Sequence, residues 1–286
     1  SIFLLISSCF LFSVLAVLIK FNSQFIHPIE QAFFRNLLSI FLLLPFILRS
    51  RQIIKDRGNI KLLLLRGIFG GITMILLFCS YSMIPLSQAM AISFSTPLFI
   101  YLGGIIFFKE KTTKFNSMML AIGFILTLVI IRPDLEIQIG ALFALVASIT
   151  HAITGLLVKK ISASESVVVL MFSMVILMTP ITLIPSLYVW SETSNYTVWF
   201  LLLSIAIIAT LGNYCWTKAL SGSKLTNLMP FDFSKLVFTI ILSYFIFEEK
   251  VDLITLICGS SLILCANLTV LNLKKNEKSK TILSNN

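Results

Sequence analysis

Residues 225–250 read LTNLMPFDFSKLVFTIILSYFIFEEK. A helix needs about 20 mostly apolar residues to cross a bilayer, and this run supplies them. It nevertheless carries Pro230, Asp232 and Lys235. A charge near the bilayer centre costs roughly 2.5–3.5 kcal/mol on insertion scales, so residues of this kind face a bundle interior or a water-filled cavity. Asp232 and Lys235 are three apart and share a helix face. They form either a self-neutralising packing pair or a charge pair open to a ligand, Asp232 meeting an ammonium or sulfonium group and Lys235 a carboxylate. On the second reading this is the functional helix of a transporter for a zwitterionic metabolite.

The rest of the chain fits that setting. Of its 286 residues 58% are hydrophobic and 12% charged, against about 25% charged in a soluble domain, and its mean hydropathy is +1.01. This is the composition of an all-α integral membrane protein. The net charge of +10 is expected from cytoplasmic loops, and no nucleic-acid partner is expected. The five cysteines lie singly in apolar runs, without metal-ligand spacing, and read as small buried hydrophobes. No metal or cofactor is expected. The chain opens at Ser1 and is apolar at once, so the first span is expected to lack part of its natural start, and no signal-peptide cleavage pattern precedes a polar domain.

Apolar runs bounded by charges or turn residues predict ten spans, near 2–20, 31–48, 62–82, 86–108, 115–131, 138–158, 166–188, 198–217, 225–247 and 251–272. With the N-terminus inside, the cytoplasmic loops and the tail hold 16 of the 22 Lys and Arg residues, and the outer loops hold Lys20, Arg132 and Lys250. That imbalance places both termini in the cytoplasm. Arg35, Arg66 and Lys235 fall within spans.

The chain also repeats itself at an offset of 139 residues. Lys20 lands on Lys159, Phe94 on Phe233, Ser95 on Ser234, Phe108 on Phe247, Glu110 on Glu249 and Lys111 on Lys250. Each half contains five spans, an odd number, so the halves enter the membrane in opposite senses. Inverted repeats are a common plan for secondary transporters, with the site between the halves. The offset sets Asp232 against Ser93 and Lys235 against Thr96.

Prolines interrupt both matching spans, Pro97 in the fourth and Pro230 in the ninth, and are read as helix kinks that shape the site. His151, midway along the sixth span, is a candidate for the cavity wall or for a proton carrier. Asn213, Tyr214 and Trp216 near the end of the eighth offer an amide and two aromatic faces, although aromatics at span ends also serve as interface anchors. Ser93, Ser95 and Tyr81 complete the substrate-binding candidates, with Ser7, Ser8 and Gln88 as further polar residues. Arg35, near the outer end of the second span, either snorkels to headgroups or meets an anion in the cavity. The Gly67-x-x-x-Gly71 and Gly103-Gly104 faces read as close helix packing. Asn195-Tyr-Thr is a glycosylation sequon on an outer loop. No Walker A loop, HExxH or GxSxG spacing is present in the sequence, so an enzyme is not expected. A membrane-embedded enzyme would have only Asp232 and His151 as titratable residues deep in spans, without a nucleophile motif. A structural or assembly protein would have no polar central cavity.

The AFFRNLLS start of the second span, the stretch YSMIPLSQAMAISFSTPLFIYLGGIIFFKEK and its second copy ALSGSKLTNLMPFDFSKLVFTIILSYFIFEEK resemble the EamA-type, ten-span branch of the drug/metabolite transporter superfamily. The resemblance implies two EamA-like five-helix repeats, residues 1–132 and 138–272, and a polar cytoplasmic tail, 273–286. It implies a cavity lined by spans one, three, four, six, eight and nine, and a place in the bacterial inner membrane. Within the superfamily, Pro230-Phe231-Asp232-Phe233 followed by Lys235 is most similar to the S-adenosylmethionine uptake carriers of intracellular bacteria, with the order of the two charges reversed. The expectation is therefore a multi-pass secondary transporter, monomeric or homodimeric, that moves a small zwitterionic metabolite by alternating access. S-adenosylmethionine uptake is the sharper reading, and export of amino acids, toxic metabolites or drugs the alternative.

Overall fold

A computed structural model describes residues 1–50, 59–93, 95–109, 114–131, 138–191, 195–223, 225–232 and 234–248, then residues 253–254, 256–261, 264–265 and 268. The elements of these residues are all α-helices: α1 (Ile2–Asn22), α2 (Pro28–Ser50), α3 (Ile60–Met83), α4 (Leu86–Ser93), α5 (Ser95–Phe108), α6 (Lys114–Ile131), α7 (Ile139–Ile161), α8 (Val167–Ser186), α9 (Tyr196–Ser221), α10 (Leu225–Asp232) and α11 (Ser234–Phe247). Helices α4 and α5 flank Phe94, and α10 and α11 flank Phe233; both residues lie outside those described.

Seven stretches are long and apolar enough to cross a membrane: α1, Pro28–Arg49 of α2, α3, Gln88–Phe108, α7, α8 and α9. Val237–Phe247 is apolar but shorter. The fold is thus a multi-pass helical bundle in which seven of the ten expected spans are seen. The expected fifth coincides with α6 and the ninth with α10 and α11. Most of the expected tenth span, 251–272, the tail from 273, and the Glu110/Glu249 and Lys111/Lys250 matches lie outside the described residues.

Local chemistry sets several helix ends. Pro28 opens α2, a first-turn position where its missing N–H costs nothing. Ser166 caps α8 by accepting from the N–H of Val169 at 3.3 Å. The sequon residue Asn195 caps α9, its Oδ1 accepting from the Thr197 N–H at 2.9 Å, so the amide a glycan would modify is engaged in starting a helix. Lys109 and Glu248, which follow α5 and α11, have φ of 52° and 53°, the left-handed conformation that commonly closes helices.

These two residues are 139 apart, as are the starts of α4 and α10 and the ends of α5 and α11. The packing is reciprocal as well. Helix α1 packs on α9 and α11, and α7 packs on α3 and α5; α2 lies against α9 as α3 lies against α8. Lys20 Nζ donates to the Ile84 carbonyl beyond α3 at 3.3 Å. Lys159, its counterpart, donates to the Ser223 carbonyl beyond α9 at 2.6 Å.

The core lies between helices, where small residues such as Ala16, Ala89, Ala144 and Ala209 are completely buried beside Leu86 and Ile205. The glycine face of α3 admits α8: a Cβ at Gly71 would come within 2.8 Å of Ile181 Cγ2, and one at Gly67 would collide with Leu177. Such small faces let helix backbones approach closely. The outer surface is apolar, with Phe3, Phe107, Phe200 and Phe245 more than two-thirds exposed. Soluble monomers rarely show contiguous apolar patches of this kind, and lipid is the solvent that suits them.

Candidate functional site

A cavity of about 130 Å³, partly open to solvent, lies inside the bundle. Phe12, Leu15 and Ile19 of α1 and Met174 and Met178 of α8 supply apolar wall. Its polar wall comes from Arg35 of α2; Arg66, Thr73 and Tyr81 of α3; Ser93 and Thr96; Ser148, His151 and Thr154 of α7; Asn213 and Trp216 of α9; and Lys235 of α11. The expected set of spans one, three, four, six, eight and nine is represented, and the second and seventh spans contribute as well.

The charged centre is built where α10 and α11 meet α1. Lys235 Nζ is 3.8 Å from Asp232 Oδ2, with the side chains 12% and 8% exposed. The three-residue spacing brings them together, and α1 fixes the pair from the other side. Cys9 Sγ lies 3.5 Å from Asp232 Oδ1, Ser13 Oγ donates to the Lys235 carbonyl at 3.0 Å, and Thr239 Oγ1 lies 2.9 Å from Ser13 Oγ. Lys235 Nζ stands 5.3 Å from the centroid of the Phe12 ring, a cation–π distance. Lys235 reaches the cavity. Asp232 stands one step behind it and is not among the lining residues.

Opposite, the rings of His151 and Trp216 lie 5.0 Å apart, tilted by 35°, and give the cavity an aromatic plate. Asn213 also lines it, its Nδ2 donating to the Ala209 carbonyl at 2.7 Å, so that its side-chain oxygen remains for other partners. Tyr81 is buried, with its hydroxyl 3.9 Å from Met90 Sδ. Ser93 lines the cavity while donating to the Ala89 carbonyl at 2.9 Å.

Other candidates sit elsewhere. Ser95 is fully buried and donates to Ile92 O at 2.9 Å, away from the lining. Tyr214 is 37% exposed on the outside of α9, with its hydroxyl accepting from Lys218 at 3.1 Å. It lies only two residues before Trp216, which is about 200° of helix turn, enough to put one ring outside and the other inside. Pro97 is buried in the interior of the apolar stretch Gln88–Phe108. The side chain of Pro230 lies outside the described residues. Arg35 is 4% exposed and turns inward, donating to Asn36 Oδ1 at 2.7 Å and to Met74 Sδ at 3.4 Å, so it does not snorkel.

Arg66 is the residue that sequence reading passed over. It is 2% exposed, lines the cavity and donates to the Leu170 carbonyl and, at 3.5 Å, to Met174 Sδ. The available signal was its position six residues into an apolar span, which by itself marks a functional candidate.

The sequence matches the EamA-like transporter family over residues 1–132 and 138–271. It is 28% identical to an S-adenosylmethionine uptake transporter of Rickettsia bellii, over 93% of this chain and 91% of that protein. It is 25% identical to the pseudopaline exporter CntI of Pseudomonas aeruginosa, over 96% of both. A solved crystal structure of a protein with 14% sequence identity has the same fold, with a TM-score of 0.72 over 96% of this chain and 98% of that one.

Proposed function

The chain belongs to the EamA-like transporter family, and from that premise we propose that it is a secondary transporter that moves a small zwitterionic metabolite across the bacterial inner membrane by alternating access. The observation that carries this reading is the cavity inside an apolar bundle, with Lys235 on its wall and Asp232 3.8 Å behind it. The placement of Lys235 on the cavity wall favours the ligand-facing reading of the pair over the packing one.

The halves act as inverted repeats in this proposal. Supporting it are the 139-residue spacing of α4/α5 and α10/α11, the reciprocal packing, and the two lysines that clasp carbonyls beyond α3 and α9. Each clasp lies within one half and ties a helix end to the chain beyond that half's third span, while rocking of one half against the other opens the cavity to one side at a time. The excess of Lys and Arg in the loops on one side supports cytoplasmic termini.

Substrate binding follows from the wall. Lys235 meets a carboxylate, Asp232 neutralises an ammonium or sulfonium that draws close to it, and the His151–Trp216 plate receives a flat or cationic portion. S-adenosylmethionine has these groups, and uptake of it is the sharper reading supported by the Rickettsia relative. Export of a metabolite is the second reading, supported by the Pseudomonas relative.

The test is uptake of labelled S-adenosylmethionine into cells expressing the chain, with Asp232→Asn and Lys235→Ala alongside, and efflux from preloaded membrane vesicles in parallel. Saturable uptake lost in both variants supports import at this site. Saturable efflux without uptake supports export. Movement in either direction that is untouched by both substitutions in well-inserted protein removes the pair from the site.

A further inference from the structure

Two arginines face the cavity without a counter-charge. Arg66 is 2% exposed, and its Nε has no hydrogen-bond partner. Its other contacts are the Leu170 carbonyl and the thioether of Met174. Arg35 donates only through Nη1, to Asn36 Oδ1 and the thioether of Met74. Thioethers are weak acceptors, whereas a guanidinium offers five donors in a fork that matches a carboxylate. No carboxylate pairs with either arginine among the described residues. The other buried acids there are engaged elsewhere, Glu30 with Ser191 and Glu165 with Asn59. Asp232 is matched by Lys235. The cavity wall therefore carries two positive charges in excess, in a setting where an uncompensated charge is strongly unfavourable.

The arginines are not side by side. Arg35 reaches Met74, while Arg66 reaches Leu170 and Met174. Met74 lies eight residues beyond Arg66 on α3, about 12 Å of helix rise. The two guanidiniums thus have separate partners on the cavity wall, Met74 for Arg35 and Leu170 with Met174 for Arg66.

We propose that Arg35 and Arg66 are two carboxylate-binding stations, and that the ligand of this cavity is a net-anionic amino-polycarboxylate that meets both. The proposal rests on the cavity being the transport site, and it narrows the zwitterion class. A compound with one carboxylate and two cationic groups leaves one arginine unmatched. A compound with two carboxylates and one ammonium matches both arginines, and the open side-chain oxygen of Asn213 on the wall can accept from its ammonium.

The experiment measures ligand-induced thermal stabilisation of the purified full-length chain in detergent. The probes are L-glutamate, L-2-aminoadipate and L-2-aminopimelate, each against its ω-amide, with S-adenosylmethionine as the cationic comparison. The amide keeps the shape and removes one charge. At least one diacid is expected to bind about tenfold or more tighter than its amide, because a site built for a charged partner rejects the analogue lacking it. One of Arg66→Gln and Arg35→Gln, at the station for the ω-carboxylate, is expected to erase that ratio, and the other to weaken acid and amide alike, while the ligand-free protein elutes and melts normally; the matching Lys substitution keeps part of each effect. A merely structural arginine would lower the melting point and leave the ratio intact. The proposal is overturned if acids and amides bind alike at all three lengths, if S-adenosylmethionine binds tighter than every diacid, or if no diacid binds the folded protein. Transport of S-adenosylmethionine with no diacid binding would sink this proposal and leave the transporter reading standing.

Discussion

Ser93 and Thr96 in the first half, and Asp232 and Lys235 in the second, occupy positions 139 residues apart in helices of matching bounds. Their chemistry differs. Ser93 donates to the Ala89 carbonyl one turn back, and Thr96 donates to the Ser148 carbonyl of α7 at 3.3 Å. Hydroxyls can satisfy themselves on helix carbonyls at little cost. The two charges cannot; they need each other and the support of Cys9, Phe12 and Ser13 from α1. One backbone plan thus carries two different walls, and the asymmetry is confined to side chains.

Asp232→Asn breaks this comparison most severely. It leaves Lys235 uncompensated in a low-dielectric wall, and removing one partner of a buried pair costs about 3–5 kcal/mol at full burial. With both side chains still 8–12% exposed, the effect is expected at the lower end of that range, with transport reduced by at least tenfold (about 1.4 kcal/mol or more). Initial-rate assays normalised to inserted protein check this. The double exchange Asp232→Lys with Lys235→Asp keeps neutrality, so it is expected to restore thermal stability. Full transport by the exchanged pair would show that neutrality is what matters, and its loss that the order of the charges does.

The lysine clasps sharpen the comparison, because here the halves are alike. Lys20→Met and Lys159→Met are each expected to shift the balance of access by roughly 1 kcal/mol, the scale of one charge-assisted hydrogen bond, and in opposite directions. Labelling of single cysteines placed in the cavity from each side of the membrane would read the shift. Equal shifts in the same direction would end the idea of paired clasps. Gly71→Leu tests the scaffold alone: overpacking against Ile181 should cost about 1–3 kcal/mol, seen as a lower melting temperature.

Thr96→Val removes a single interhelical bond and should cost about 1 kcal/mol of stability with transport largely kept. Tyr214→Phe should be the mildest. Its hydroxyl meets only Lys218 on the outer face, so melting temperature and transport are expected to stay within error of the unchanged protein.

Much of the fold was legible in the residues. Helix bounds fall within a few positions of the apolar runs, as with 2–20 against Ile2–Asn22 and 86–108 against the outer bounds of α4 and α5. The Asp232–Lys235 contact was readable from spacing, as was the interest of His151 and Trp216. The inward turn of Arg35 was not, because a long side chain near a span end can reach headgroups or the interior equally well. Arg66 was readable as a charge in a span, but its open Nε emerges only once α8 is packed against it. Ser95 and Tyr214 were indistinguishable in sequence from Ser93 and Trp216, and they differ only by rotation about a helix axis.

The sequence by itself determined the material of this protein: an all-helical membrane chain whose described helices fall in its apolar runs. A bilayer leaves little choice, since a backbone crossing it must satisfy its own hydrogen bonds. Only the tertiary structure decided which side of each helix faces the cavity. These helices are apolar on nearly every side, and lipid is as apolar as the spaces between them. No polar stripe therefore marks the inward face, and packing alone sets Arg35, Arg66, His151, Trp216 and Lys235 around one space.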